Sequence, residues 1–216
     1  MKKHRLISIF CLVSTTAFAG SPAVVSVTSL QRHGQVVYRY QVTNNSDAPI
    51  LSVTVGLTPD KMPSLLARVW QRDIDTYWAN YDAHGVEPAY VTIDAAHCTP
   101  FQGMVCSLSY QTDSDYPANE KRANITFDWE GTFSSGDYSQ ARPRPITASI
   151  LPHTESSVAE LVVPASDPAY STGMALITFG GTLAQRASTP EIVNGRYFAP
   201  LLSPPPKQQP LTTVPR

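Results

Sequence analysis

Arg32-His33-Gly34 is the first run in this 216-residue chain with the residue types of a reaction. An imidazole placed just after an apolar strand can take up a phosphoryl group. It does so when a second His and several Arg converge on the phosphate. Here Gln35 onward has the pattern of a strand rather than a helix, and no His-Asp or His-Ala-Glu follows downstream. The triplet therefore reads as the polar turn of a hairpin.

The other candidate groups are scattered. His33, His84, His97 and His153 have no ligand spacing such as His-Glu-x-x-His. Asp82-Ala83-His84 and Asp94-Ala95-Ala96-His97-Cys98 offer zinc ligands only if the fold joins them. Asp73-Ile74-Asp75 and Asp113-Ser114-Asp115 supply oxygens for calcium without the acidic density of a dedicated loop. Asp128 and Glu130 share one face of a strand, as a pair for glycoside cleavage would, but neighbours two apart on a wet face are usually solvated. A Gly-x-Ser-x-Gly elbow and a Gly-rich loop leading into a helix are both missing from the sequence. The sequence thus points to no catalytic residue, no metal and no cofactor.

Aromatic chemistry is better represented. Residues 70–82 interleave Trp70, Tyr77, Trp78 and Tyr81 with polar and acidic side chains. Exposed rings of this kind suit a sugar face or a protein partner, since they combine apolar area with a polar edge. The competing assignment is that Trp70, Tyr77 and Trp78 cap the open end of a core.

The N-terminus says where such binding would occur. Lys2, Lys3 and Arg5 precede an apolar run over residues 6–13, and Ala17-Phe18-Ala19 places small residues at a cleavage site. Residues 1–19 read as a signal peptide, so the protein is expected to be exported to the periplasm or the medium. Loss of that leader lowers the basic count from 16 to 13 against 17 acidic residues, a net charge of about −4. Such a charge gives nucleic acid no basic patch to meet. Cys98 and Cys106 are then the only cysteines left, and in an oxidising compartment they are expected to form a disulfide. The chain shows no C-terminal hydrophobic tail, so no membrane anchor is expected.

Period-two alternation supplies the scaffold. Val36, Tyr38, Tyr40 and Val42 share one face, and Asn44-Asn45-Ser46-Asp47 follows as a turn. Leu51, Val53, Val55 and Leu57 form the next face, and Ala123, Ile125, Phe127 and Trp129 another. Further strands are expected over 23–30, 89–95, 104–110, 146–151, 157–163 and 174–179. Only residues 63–72 read as helical, with Pro63 at the first position. The expectation is an all-β protein: an antiparallel β-sandwich of about nine strands with one short helix. Its domain spans 21–202, and 203–216 form a mobile Pro-rich tail.

Residues 38–46 with Pro49-Ile50 resemble a strand–turn–strand of exported bacterial immunoglobulin-like and fibronectin-type-III-like sandwiches. The stretch from Ile150-Leu151-Pro152 to Val162-Val163-Pro164 is similar to exoprotein domains that carry a PEP-CTERM sorting tail, although the tail itself is missing here. The resemblance implies fold and export and transfers no catalytic residue. Two functions are consistent with these expectations. One is a non-enzymatic module that binds a protein partner or assembles at the cell surface. The other is a carbohydrate-binding module using the platform around Trp78, with a polysaccharide as partner.

Overall fold

The computed structural model describes residues 20–84, 91–111, 121–129 and 144–203. Two ten-residue strands, β1 (Ala23–Arg32) and β2 (Gln35–Asn44), open the fold as a hairpin. Its turn is His33-Gly34, with φ of 48° and 79°. Two left-handed residues match the right-handed twist of the strands they join. The Arg-His-Gly triplet is thus a hairpin turn. Alternation along β2 also holds, since Tyr38, Tyr40 and Val42 are buried.

The chain then crosses to a second layer, and Asn44 fixes the crossing. Its amide donates to the carbonyls of Ala48, Ile150 and Leu151 at 2.9, 3.1 and 3.1 Å. Its Oδ1 accepts from the N–H and the hydroxyl of Ser46. An Asn side chain can replace backbone partners in this way, so the buried groups of the turn, at Asn44, Ser46 and Ala48, stay satisfied.

β3 (Ile50–Leu57) follows, then β4 (Ser64–Leu65), helix α1 (Arg68–His84), β5 (Val91–Thr92) and β6 (Cys98–Thr99). β7 (Val105–Gln111) and β8 (Arg122–Asp128) pair antiparallel. After a 3-10 turn at Ile146–Ala148 come β9 (Ala159–Pro164), β10 (Met174–Phe179), helix α2 (Leu183–Ala187) and β11 (Arg196–Leu202). The strands form one connected sheet in the order β5-β7-β8-β3-β10-β11-β1-β2-β9-β6, with β4 beside β8.

The sheet curls on itself. Tyr40 on β2 and Phe127 on β8, five steps apart along the path, bring their rings within 6.3 Å. Cys98 on the terminal β6 and Cys106 on β7 have sulfurs 1.96 Å apart, so the expected cysteine pair joins one end of the path to the strand next to its other end. One hydrophobic cluster runs through the interior, with Val25, Tyr40, Val53, Ile125, Leu161 and Ile177 all fully buried.

The expected all-β class holds, with three corrections. The sheet is mixed rather than purely antiparallel, because β1 runs parallel to β11. Among the described residues it has eleven strands, not about nine, and two helices instead of one. Residues 146–151 form a 3-10 turn and a single bridge from Ile150 to Ile50, not a strand.

The parallel join is short for a chemical reason. It pairs only Val25 with Leu201 and Ser26 with Leu202. The Leu201 N–H donates to Gly173 on the β10 side at 3.0 Å, so positions 200 and 202 are the ones that face β1. Position 200 is a proline and has no N–H to give.

Candidate functional site

The aromatic segment lies on α1, but the helix begins five residues later than Pro63. Pro63 instead forms a bridge with Leu57. The first turn of α1 is capped from outside, where the Arg68 N–H donates to Asp167 Oδ2 at 2.8 Å. No short-range signal in residues 63–68 reveals a cap supplied ninety-nine residues later in the chain.

Trp70 and Ile74 turn inward and are 0% and 3% exposed. The Trp70 ring meets Tyr170 edge-on at 5.0 Å. The Tyr170 hydroxyl in turn donates to the Leu65 carbonyl at 2.6 Å, and its own carbonyl accepts from Tyr40 at 2.5 Å. Burial holds both phenols above their ordinary pKa. Trp70 is thereby corrected from platform residue to core residue. The side chains of Tyr77, Trp78 and Tyr81 lie outside the described residues.

A polar contact sits where α1 meets the β5–β6 loop. Asp94 organises that loop: its Oδ1 accepts from the Ala96 N–H, and its carbonyl accepts from the His97 and Cys98 N–H groups. The Asp94 N–H also bonds the Asp73 carboxylate. Asp73 Oδ2 and His97 Nδ1 are buried with no hydrogen-bond partner among the described residues. Desolvation raises the Asp73 pKa, opposed by the Asp94 N–H and by His97. Among the described residues no group of three His, Cys, Asp or Glu is arranged to hold a metal ion. Asp113-Ser114-Asp115 and Glu130 lie outside the described residues, as does the side-chain placement of Asp82 and His84.

Asp128 does not stand free on a wet strand. Arg144 pairs with it and also donates to the carbonyls of Leu51 and Ala148. The same guanidinium lies 5.9 Å from the Trp129 ring centre. Trp129, expected in the core, is only half-buried beside Arg144. This arginine went unnoticed in the sequence because its partners are backbone carbonyls and an acid sixteen residues away.

An accessible backbone feature is the outer edge of β1. The Val42 N–H donates to Ser156 Oγ, and its C=O accepts from the Ser156 N–H. Both groups of Val42 therefore point away from β1. Val25 is paired with Val42, so it points away from β2, and the alternation carries on to Val27, Ser29 and Gln31. β11 pairs with β1 only at Val25 and Ser26. Among the described residues no strand pairs with the outer edge of Ser29 and Gln31. The same stretch, from Thr28 to Arg32, is exposed on both faces.

No known protein family, curated protein or solved structure matches the chain.

Proposed function

We propose that the chain is a non-enzymatic exported module with an immunoglobulin-like sandwich fold, which mediates protein interaction or surface assembly by strand addition at β1. The observation that carries this reading is the backbone edge at Ser29 and Gln31, unpaired among the described residues. A bare row of N–H and C=O groups is a template for another extended chain.

Strand order supports the immunoglobulin-like part. β1-β2-β9-β6 follows the order A-B-E-D, and β11-β10-β3 follows G-F-C, while β8 beside β3 comes later in the chain than β6 and has no counterpart in that order. Two hallmarks of antibody domains are replaced. β3 carries Val53 and Val55 rather than a core Trp, and the cysteine pair joins β6 to β7. Export is supported by the leader-like residues 1–19 and by a cysteine pair at bonding distance. No helix among the described residues is long and apolar enough to cross a membrane. The sequence-level enzyme candidates have other duties in this reading: His33 builds a turn, and Asp128 anchors Arg144.

Photo-crosslinking in the native exported compartment tests the assignment. A crosslinker at Thr28, beside the open edge, is expected to give discrete protein adducts, and one at Gln185 on α2 is expected to give none. No adducts from Thr28, together with polysaccharide retention that Trp78→Ala abolishes, would move the assignment to carbohydrate binding.

A further inference from the structure

We propose that the outer edge of β1 pairs with the same edge of a second copy of this chain, antiparallel and centred on Leu30, so that two curled sheets become continuous. This rests on the interaction-module reading above and names its partner.

The open groups are self-complementary. Ser29 and Gln31 each turn an N–H and a C=O outward. A half-turn about Leu30 sets Ser29 of one copy opposite Gln31 of the other, twice. Each such pair exchanges two hydrogen bonds, so all four outward groups of each chain find partners. Leu30 then faces Leu30 in the closely spaced type of antiparallel pair. Leu30 is 38% exposed in the single chain, the least exposed of eight such large apolar side chains among the described residues.

The devices that usually protect an edge are missing. The β1–β2 register runs from Ala23–Asn44 to Arg32–Gln35 without a bulge, and residues 27–32 contain no proline. Their only charge is Arg32, and the half-turn sends the two Arg32 side chains to opposite ends of the join. Pairing over a run this short makes a small interface, so association is concentration-dependent.

Sedimentation of the chain over a wide concentration range tests this, with three variants. Leu30→Lys or Leu30→Glu alone places like charges face to face and is expected to weaken self-association roughly fivefold or more. An equimolar mixture of the two is expected to restore it. Ser29→Pro removes an outward N–H that β2 does not use, and is expected to abolish pairing while leaving the circular dichroism spectrum unchanged. A dissociation constant untouched by these variants overturns the proposal. A chain that stays monomeric yet still gives heterologous adducts from Thr28 overturns self-pairing and leaves the module reading standing. A monomer with no adducts overturns both. Slow amide exchange at Ser29 in the dilute monomer would assign the edge to the chain's own C-terminal segment, and self-pairing would fall.

Discussion

One hairpin has two unlike ends. At its root, Ala23 pairs with Asn44, both are fully buried, and β11 closes the outer side of Val25 and Ser26. At its tip, Arg32 pairs with Gln35, both are exposed, and no described strand closes the outer side. The strands are continuous, and both ends obey the same alternation. The difference comes from what faces them. A period of two makes a strand, but a buried strand also needs an opposing layer, and the root has one because the sheet curls over it.

Four changes would break or sharpen this contrast, from the largest effect to the smallest. Asn44→Ala removes the side chain that binds the root to the 150s segment. It leaves the buried Ser46 N–H without its acceptor and takes one of two donors from the carbonyls of Ala48 and Ile150. It should cost about 3 kcal/mol in denaturant unfolding, read as a lower midpoint with an unchanged slope. Replacing Cys98 and Cys106 together with Ala should cost about 2.5 kcal/mol, given their separation of eight residues. Amide exchange should then quicken at the root, which depends on closure, and hardly at the tip, which does not.

Gly34→Ala tests the tip. Nothing lies within 4 Å of an added Cβ, but φ is 79°. The cost should be about 1 kcal/mol of left-handed strain, with faster exchange confined to the turn and to residues 29–39. Asp73→Asn is the smallest, away from both ends. The Asp73 pKa is raised in the fold, so the protonated form is the stabilising one. Its contribution is full below the ordinary carboxylate pKa and is lost as pH rises through the folded value. The variant should therefore be slightly more stable than the parent at neutral pH, with the gap closing on acidification. Thermal melts at several pH values measure it. A gap that widened in acid would contradict the assigned environment.

Much of this was legible in the sequence. Val36 to Val42 announced β2, Asn44-Asn45-Ser46 announced its turn, and Met174–Phe179 was expected with its observed bounds. Cys98 and Cys106 were legible by count alone. What escaped depends on distant partners. β11 has no clean alternation and contains Pro200, and its place beside β1 is a parallel contact between opposite ends of the chain. The start of α1 was misplaced because Pro63 belongs to a bridge, while the cap comes from Asp167. The candidate platform was the least legible part. Trp70 has the residue type of a binding ring and the spacing of a core residue, and spacing decided its position. The open edge left no mark in the residue pattern, because its functional groups are backbone.

The parallel join of β1 and β11 also sets how the molecule would bear load. β1 begins at Ala23 and β11 ends at Leu202, side by side and pointing the same way. Tension applied between those two points drags the strands lengthwise in opposite senses. The Val25–Leu201 and Ser26–Leu202 contacts are then strained simultaneously rather than peeled in turn, with the long β1–β2 ladder in shear behind them. A protein tethered by its ends would resist stretching most strongly along this line, and would yield first at this two-pair join.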